Sequence, residues 1–151
     1  MEYEVKPGAI DRDTRSLHYP CDTYTQFPAA CYRYRTEFIL VKHRGDIAPV
    51  AEECLHLEAS LRRGCFYGLG FAHLGTLSKQ PDRLATVCGF GDAQDQAMRI
   101  NGAIETLADY NQEAALRACR TLSGENAAVC GAAARNKRYG LGKDFSLYYR
   151  E

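Results

Sequence analysis

The sequence predicts an all-α fold: four helix-turn-helix hairpin repeats of about 31–34 residues each, stacked as a short, disulfide-stapled α-solenoid. Three observations carry this. Cysteines recur in pairs, Cys21 with Cys31, Cys54 with Cys65 and Cys119 with Cys130, and a degenerate copy opens at Cys88 with Arg99 where the second cysteine would stand. First positions 21, 54, 88 and 119 are 33, 34 and 31 residues apart, and second positions 31, 65, 99 and 130 are 34, 34 and 31 apart. Apolar residues in the flanking segments recur at helical spacing, and proline, glycine, aspartate and asparagine stand where helices start and stop. A fixed period of this size marks supersecondary units that bury their apolar faces only by stacking.

The remaining composition bounds the rest. At 151 residues the chain suits one domain, 1–151, with a real core. Nineteen basic and nineteen acidic side chains cancel, so no global field draws it to nucleic acid or an anionic membrane. The run Phe38–Val41 is only four residues long, far short of the ~18 needed to span a bilayer, so membrane insertion is not expected.

Residues 1–13 are polar, carry Pro7 and Gly8, and read as an extended arm. Helical character starts near Thr14 and stops near Pro20, because proline disfavours helical geometry in the residue before it. Pro28 suits an early helical position, where a missing N–H is harmless, and the segment after it lines up Cys31, Arg35, Phe38 and Val41 or Lys42. Gly45 ends it. Asp46 is a good N-cap, with Pro49 in the first turn, so a helix follows over 47–57 with Val50, Cys54 and Leu57 on one face. Its partner runs over 61–77, with Leu61, Cys65 or Phe66, Leu69, Ala72 and Thr76 inward. Gly68, Ala72 and Gly75 form a second stripe. Glycine weakens a helix by ~1 kcal/mol relative to alanine, so the stripe points to a closely approaching neighbour, with a break at Gly68–Gly70 as the alternative.

Ser78–Pro81 is a turn, and 82–88 is a short helix ended by Gly89. Asp92 caps the clearest helix, 93–110, whose inward stripe is Ala97, Ile100, Ile104, Leu107 and Ala108. Asn111 starts the next, aligning Ala115, Ala118 or Cys119, and Leu122 before Ser123–Gly124 closes it. Asn126 caps a last helix over 127–139, and Gly140 and Gly142 release a tail over about 141–151.

In an antiparallel hairpin, residues one turn either side of the loop face each other and bring their Cβ atoms near the ~3.5–4.5 Å a disulfide needs. The spacing therefore favours Cys21–Cys31, Cys54–Cys65 and Cys119–Cys130 as staples, with Cys88 a free thiol. Each closes a ring of about a dozen residues, worth roughly 3 kcal/mol in the chain-entropy treatment. Structural zinc would favour closer cysteine pairs, and His18, His43, His56 and His73 are scattered, so neither a metal nor another cofactor is implied. Disulfides imply an oxidising compartment, secreted or periplasmic, although MEYEVKPGAI lacks the apolar core of a leader, which would then already be removed. The alternative is a cytoplasmic protein whose buried thiols pack as small hydrophobes.

The segment GCFYGLGFAHLG resembles Sel1-like repeats, relatives of the tetratricopeptide repeats, and among them the cysteine-rich secreted members. Gly64, Cys65, Leu69, Gly70, His73 in place of the usual tyrosine, and Gly75 carry the likeness, which covers 64–75 well and the other units only through Gly102, Cys130 and the helical pattern. The cysteine separation is longer than that family's. The resemblance implies architecture and no catalytic or ligand residue.

Stacked hairpins present a broad face that suits a protein or peptide partner. Tyr32, Arg33, Tyr34, Arg35, Tyr67, Tyr139, Tyr148 and Tyr149 form the candidate surface, since tyrosine and arginine are enriched at binding hot spots; the plainer reading has most of these tyrosines filling gaps between repeats. A non-catalytic binding or assembly module is thus the first expectation. A structural subunit of a larger envelope or extracellular assembly is the second. A small hydrolase-type or thiol enzyme using Cys88 is the third, against a buried structural thiol. Glu105, Asp109 and Glu113 form an acidic stripe that could hold a cation or a basic peptide, though such stripes are more often solvated faces.

Alkylation under denaturing conditions checks the pairing: intact mass before reduction should show one modified cysteine, located at Cys88, and Cys130→Ser should lower thermal stability far more than Cys88→Ser. Seven modified cysteines would remove the staples.

Overall fold

The helix boundaries follow from local chemistry. In a computed structural model that describes residues 16–24, 26–87 and 89–135, the elements are α1 (Pro28–Lys42), α2 (Ile47–Leu55), α3 (Ala59–Ala72), α4 (Leu74–Lys79), a 3-10 turn (Pro81–Arg83), α5 (Leu84–Val87), α6 (Ala93–Tyr110), α7 (Gln112–Cys119) and α8 (Gly124–Arg135). No strand occurs among the described residues. Pro28 opens α1, which closes through left-handed Arg44 and Gly45. Asp46 caps α2 by accepting from the Ala48 N–H at 3.1 Å. Asp92 and Asp95 form a reciprocal capping box at the start of α6. Asn111 ends α6 through its own N–H to the Leu107 carbonyl and starts α7 by accepting from the Ala114 N–H.

Four expectations about the elements are corrected. Residues 17–23 form successive turns instead of a helix reaching Pro20, so the described residues of the first unit hold no opening helix. The run expected over 61–77 starts earlier and breaks at His73, leaving α3 and α4. The His73 Nδ1–H donates to the Leu69 carbonyl at 2.7 Å, the acceptor its own backbone N–H would use, and that N–H turns to the Gly70 carbonyl instead. Asn126 does not cap α8, which begins at Gly124; its side chain donates across to Gln96 Oε1 at 2.8 Å. Among the described residues, the opening half of the third unit is a 3-10 turn and a single helical turn. Four even pairs of helices are therefore not what forms.

The second helices of the units pack in succession, α1 on α3, α3 on α6 and α6 on α8, while α2 lies on α3 and α7 on both α6 and α8. Glycine permits the two central contacts. A methyl group at Gly68 would sit well under 3.0 Å from the Tyr32 carbonyl and the Thr36 hydroxyl, and one at Gly64 would lie 2.7 Å from the Pro28 backbone. On the opposite side of α3, a methyl at Gly70 would strike the Arg99 carbonyl, and one at Gly102 of α6 would strike the Tyr67 carbonyl. The expected close approach is thus real, but its stripe is Gly64 and Gly68 toward α1 with Gly70 toward α6; Gly75 has nothing within 4 Å.

That approach also resets the buried face of α1. Tyr32, Thr36 and Ile39 face inward with Pro28 and Ala29, one residue out of register from the expected Cys31, Arg35, Phe38 and Val41, and Val41 is exposed. Two apolar clusters result. One joins Tyr32, Ile39, Val50, Phe66 and Leu69; the other joins Leu77, Leu84, Ile100, Ile104 and Leu107 with the alanines of α7 and α8. Buried on both flanks, α3 and α6 carry core residues around most of their circumference.

Three disulfides fasten the units: Cys21–Cys31, Cys54–Cys65 and Cys119–Cys130, with Cα separations of 5.6, 5.5 and 5.4 Å. Such bonds persist in oxidising, extracytoplasmic surroundings. Cys88 lies outside the described residues. In its unit, fully buried Arg99 sets its guanidinium over the Phe66 and Phe90 rings, 5.2 and 5.4 Å from their centroids. A forked pair adds to the α3–α6 joint: Arg62 Nε donates to Asp95 Oδ1 at 2.9 Å and its terminal nitrogen to Oδ2, which raises the Arg62 pKa.

Gly102→Ala should destabilise the fold by ~1–3 kcal/mol through overpacking, less the helix-propensity gain, a fall of roughly 5 °C in melting temperature for a chain this size. Gly75→Ala, with open space around it, should leave stability unchanged or raise it by ~0.5–1 kcal/mol. Equal responses in thermal denaturation would overturn the close-packing account.

Candidate functional site

The helical frame sorts the expected tyrosines into two groups. Tyr32 is 0% exposed and Tyr67 5%, so neither ring can meet a partner; the Tyr32 carbonyl lies against Gly68 of α3, and the Tyr67 carbonyl lies against Gly102 of α6. This corrects their place in the candidate surface. Tyr34 is 68% exposed. Tyr139, Tyr148 and Tyr149 lie outside the described residues. Arg35 turns aside, its Nε donating to the Leu17 carbonyl at 2.6 Å and its guanidinium covering the Phe38 ring.

What remains is a compact patch across α1 and α3. Arg33 lies 4.3 Å from the Phe71 ring centroid and 5.7 Å from that of Tyr34, and the Tyr34 and Phe71 rings meet edge to face at 6.4 Å. Each ring offers the guanidinium a negative face, which holds an otherwise mobile arginine in place. Phe71 was not singled out from the sequence. The signal was available: it stands 37 residues after Tyr34, one period of 34 plus a helical turn, on a helix that packs beside the first.

Tyr32 has a different task. Its hydroxyl lies 3.0 Å from His18 Nδ1, and His18 Nε2 stands 3.5 Å from Glu53 Oε2. Burial chiefly, with help from the Asp22 charge and against that of Arg35, raises the Tyr32 pKa, so the phenol keeps its proton. The chain Tyr32–His18–Glu53 ties residues 16–24 to α1 and α2. Its phenol end is fully buried, and its carboxylate end, with 38% of the Glu53 side chain exposed, reaches the surface.

The acidic stripe does not form as expected. Asn111 interrupts the helical run between Asp109 and Glu113, Glu105 is buried at 4% exposure, and exposed Glu113 pairs with Arg117 at 2.9 Å. Among the described residues no group of three or more histidines, cysteines or carboxylates is arranged to hold a metal ion. No described helix is long and apolar enough to cross a membrane.

A cleft of about 240 Å³ opens where α3 breaks, lined by Gly45, Ile47, His73, Thr76, Arg83 and Thr86. His73 is 8% exposed, and burial, aided by the Arg99 charge and opposed by the Leu69 hydrogen bond, pushes its pKa below the ordinary histidine value. It is therefore a neutral ring with its proton fixed on Nδ1.

Compared with known proteins, the chain matches no family model, no curated protein and no solved structure.

Tyr32→Ala should cost about 3–5 kcal/mol, the range for losing a buried aromatic ring, while Tyr34→Ala should stay within ~0.5 kcal/mol of the parent in chemical denaturation. A Tyr34 variant as unstable as the Tyr32 variant would contradict the division between core and surface.

Proposed function

We propose that the protein is a non-catalytic, extracytoplasmic binding or assembly module, secreted or periplasmic. Its helices form a short α-solenoid comparable in architecture to Sel1-like repeats, and its partner is a protein or peptide. The observation that carries this reading is the Arg33–Tyr34–Phe71 patch. Two aromatic rings and a stacked guanidinium, set on helices held by glycine contacts and disulfides, resemble the aromatic and arginine anchors that dominate protein interfaces. A pre-ordered patch loses little side-chain entropy on docking. The complementary segment offers an apolar side chain to Tyr34 and Phe71 and a carboxylate to Arg33.

Selection from a random displayed-peptide library tests this. Peptides retained by the parent should be enriched in acidic-plus-apolar pairs, and Tyr34→Ala or Arg33→Gln should weaken them roughly tenfold or more, the loss typical of a hot-spot residue. Retained peptides that bind both variants as tightly as the parent would overturn the assignment of the patch.

A further inference from the structure

The cleft at the α3–α4 break has a donor and acceptor set that the binding patch does not use. Hydrogen-bond bookkeeping fixes the state of its buried member. A carbonyl only accepts, so the 2.7 Å contact with Leu69 places the His73 proton on Nδ1. In the neutral ring Nε2 is then an acceptor. With the Nδ1 edge turned back onto its own helix, the Nε2 edge is the part of this 8%-exposed ring left to face the cleft, and no described group hydrogen-bonds it.

The other walls supply donors. Arg83 comes from the 3-10 turn and Thr76 from α4, and among the described residues neither side chain has a hydrogen-bond or ion-pair partner. The Thr86 hydroxyl donates to the Arg83 carbonyl at 2.8 Å, which fixes that side chain at the rim. No carboxylate stands among the described residues lining the cleft. The site thus combines a permanent positive charge, a hydroxyl and one acceptor on a largely buried ring. A simple anion would satisfy the first two and leave the third facing a lone pair. An anion carrying its own hydroxyl proton satisfies all three.

We infer that this cleft is a binding site for the hydrogen phosphate ion, with Arg83 and Thr76 donating to its oxygens and its P–OH donating to His73 Nε2. Phosphate near neutral pH keeps one such proton, whereas sulfate has none, so the imidazole acceptor sets selectivity as well as affinity. A guanidinium also matches a tetrahedral oxyanion better than a point charge would. The site is formed by the α1–α2 connection, the α3–α4 break and the 3-10 turn, and so depends on the helix interruption at His73.

Titration of the folded, oxidised protein with inorganic phosphate at about pH 7.5, followed by imidazole nitrogen shifts, tests the assignment, with sodium sulfate at equal ionic strength in a parallel arm. Phosphate should produce a saturable shift at His73 Nε2 below ~10 mM, and sulfate should bind roughly tenfold more weakly or worse. Arg83→Gln, an exposed change that leaves the core intact, should weaken phosphate roughly tenfold or more, as losing a charge-assisted donor does. No saturable shift, equal binding of sulfate, or undiminished phosphate binding by Arg83→Gln would each overturn the site.

Discussion

The approach of three helix backbones across glycine is the constraint from which most of the molecule follows. α3 lies between α1 and α6, and on each side a missing Cβ lets one backbone settle against another's carbonyls. Burial on both flanks explains why α3 is occupied by core residues from Gly64 to Gly70 without interruption, where a surface helix would show a single stripe. It explains the one-residue shift of the buried face of α1 as well. Dense interiors transmit such fits, because a neighbour displaced by one methyl group cannot be absorbed locally.

The staples act outside this close-packed centre. Each disulfide joins the two halves of one unit, while glycine contacts join one unit to the next, so the bonds hold what packing alone holds weakly: a turn segment at Cys21 and the short helices α2 and α7. The unit in which Arg99 replaces a cysteine is fastened differently. A buried cation between two phenylalanine rings, near the Arg62–Asp95 fork, draws the stability of that unit from tertiary contacts of α6. In place of a covalent tie, this unit has a cation–aromatic contact and a forked ion pair.

Two surface features use this frame for different chemistry. The Arg33–Tyr34–Phe71 patch is apolar and cationic, spread over adjacent helices, and is the surface proposed to take a chain segment. The cleft at His73 is small, polar and recessed, and exists because one histidine diverts a helix hydrogen bond. Both involve the end of α3, the patch through Phe71 and the cleft through the break at His73.

Cysteine pairing, helix type and several caps were legible in the sequence because they are local or one-dimensional, whereas the four even hairpins expected from the period did not form. Cysteine spacing within a hairpin, Asp46, Asp92 and Asn111 as caps, and the apolar rhythm of 93–110 depend on neighbours along the chain. The resulting all-helical, disulfide-bonded frame carries them as read. Which side of a helix faces which neighbour was decided only in three dimensions. Tyr32, Tyr34 and Tyr67 look alike in sequence, yet Tyr32 and Tyr67, whose carbonyls meet glycines some 35 residues away, are buried in the helix packing while Tyr34 is exposed. Likewise the break at His73 depends on a ring nitrogen competing with a backbone N–H, and Phe71 meets Arg33 only because α1 and α3 pack together. Sequence by itself determined where helices can start, stop and be tied. Tertiary packing decided which of their side chains are core and which remain to act, because burial belongs to the contact between segments, and no single segment contains that information.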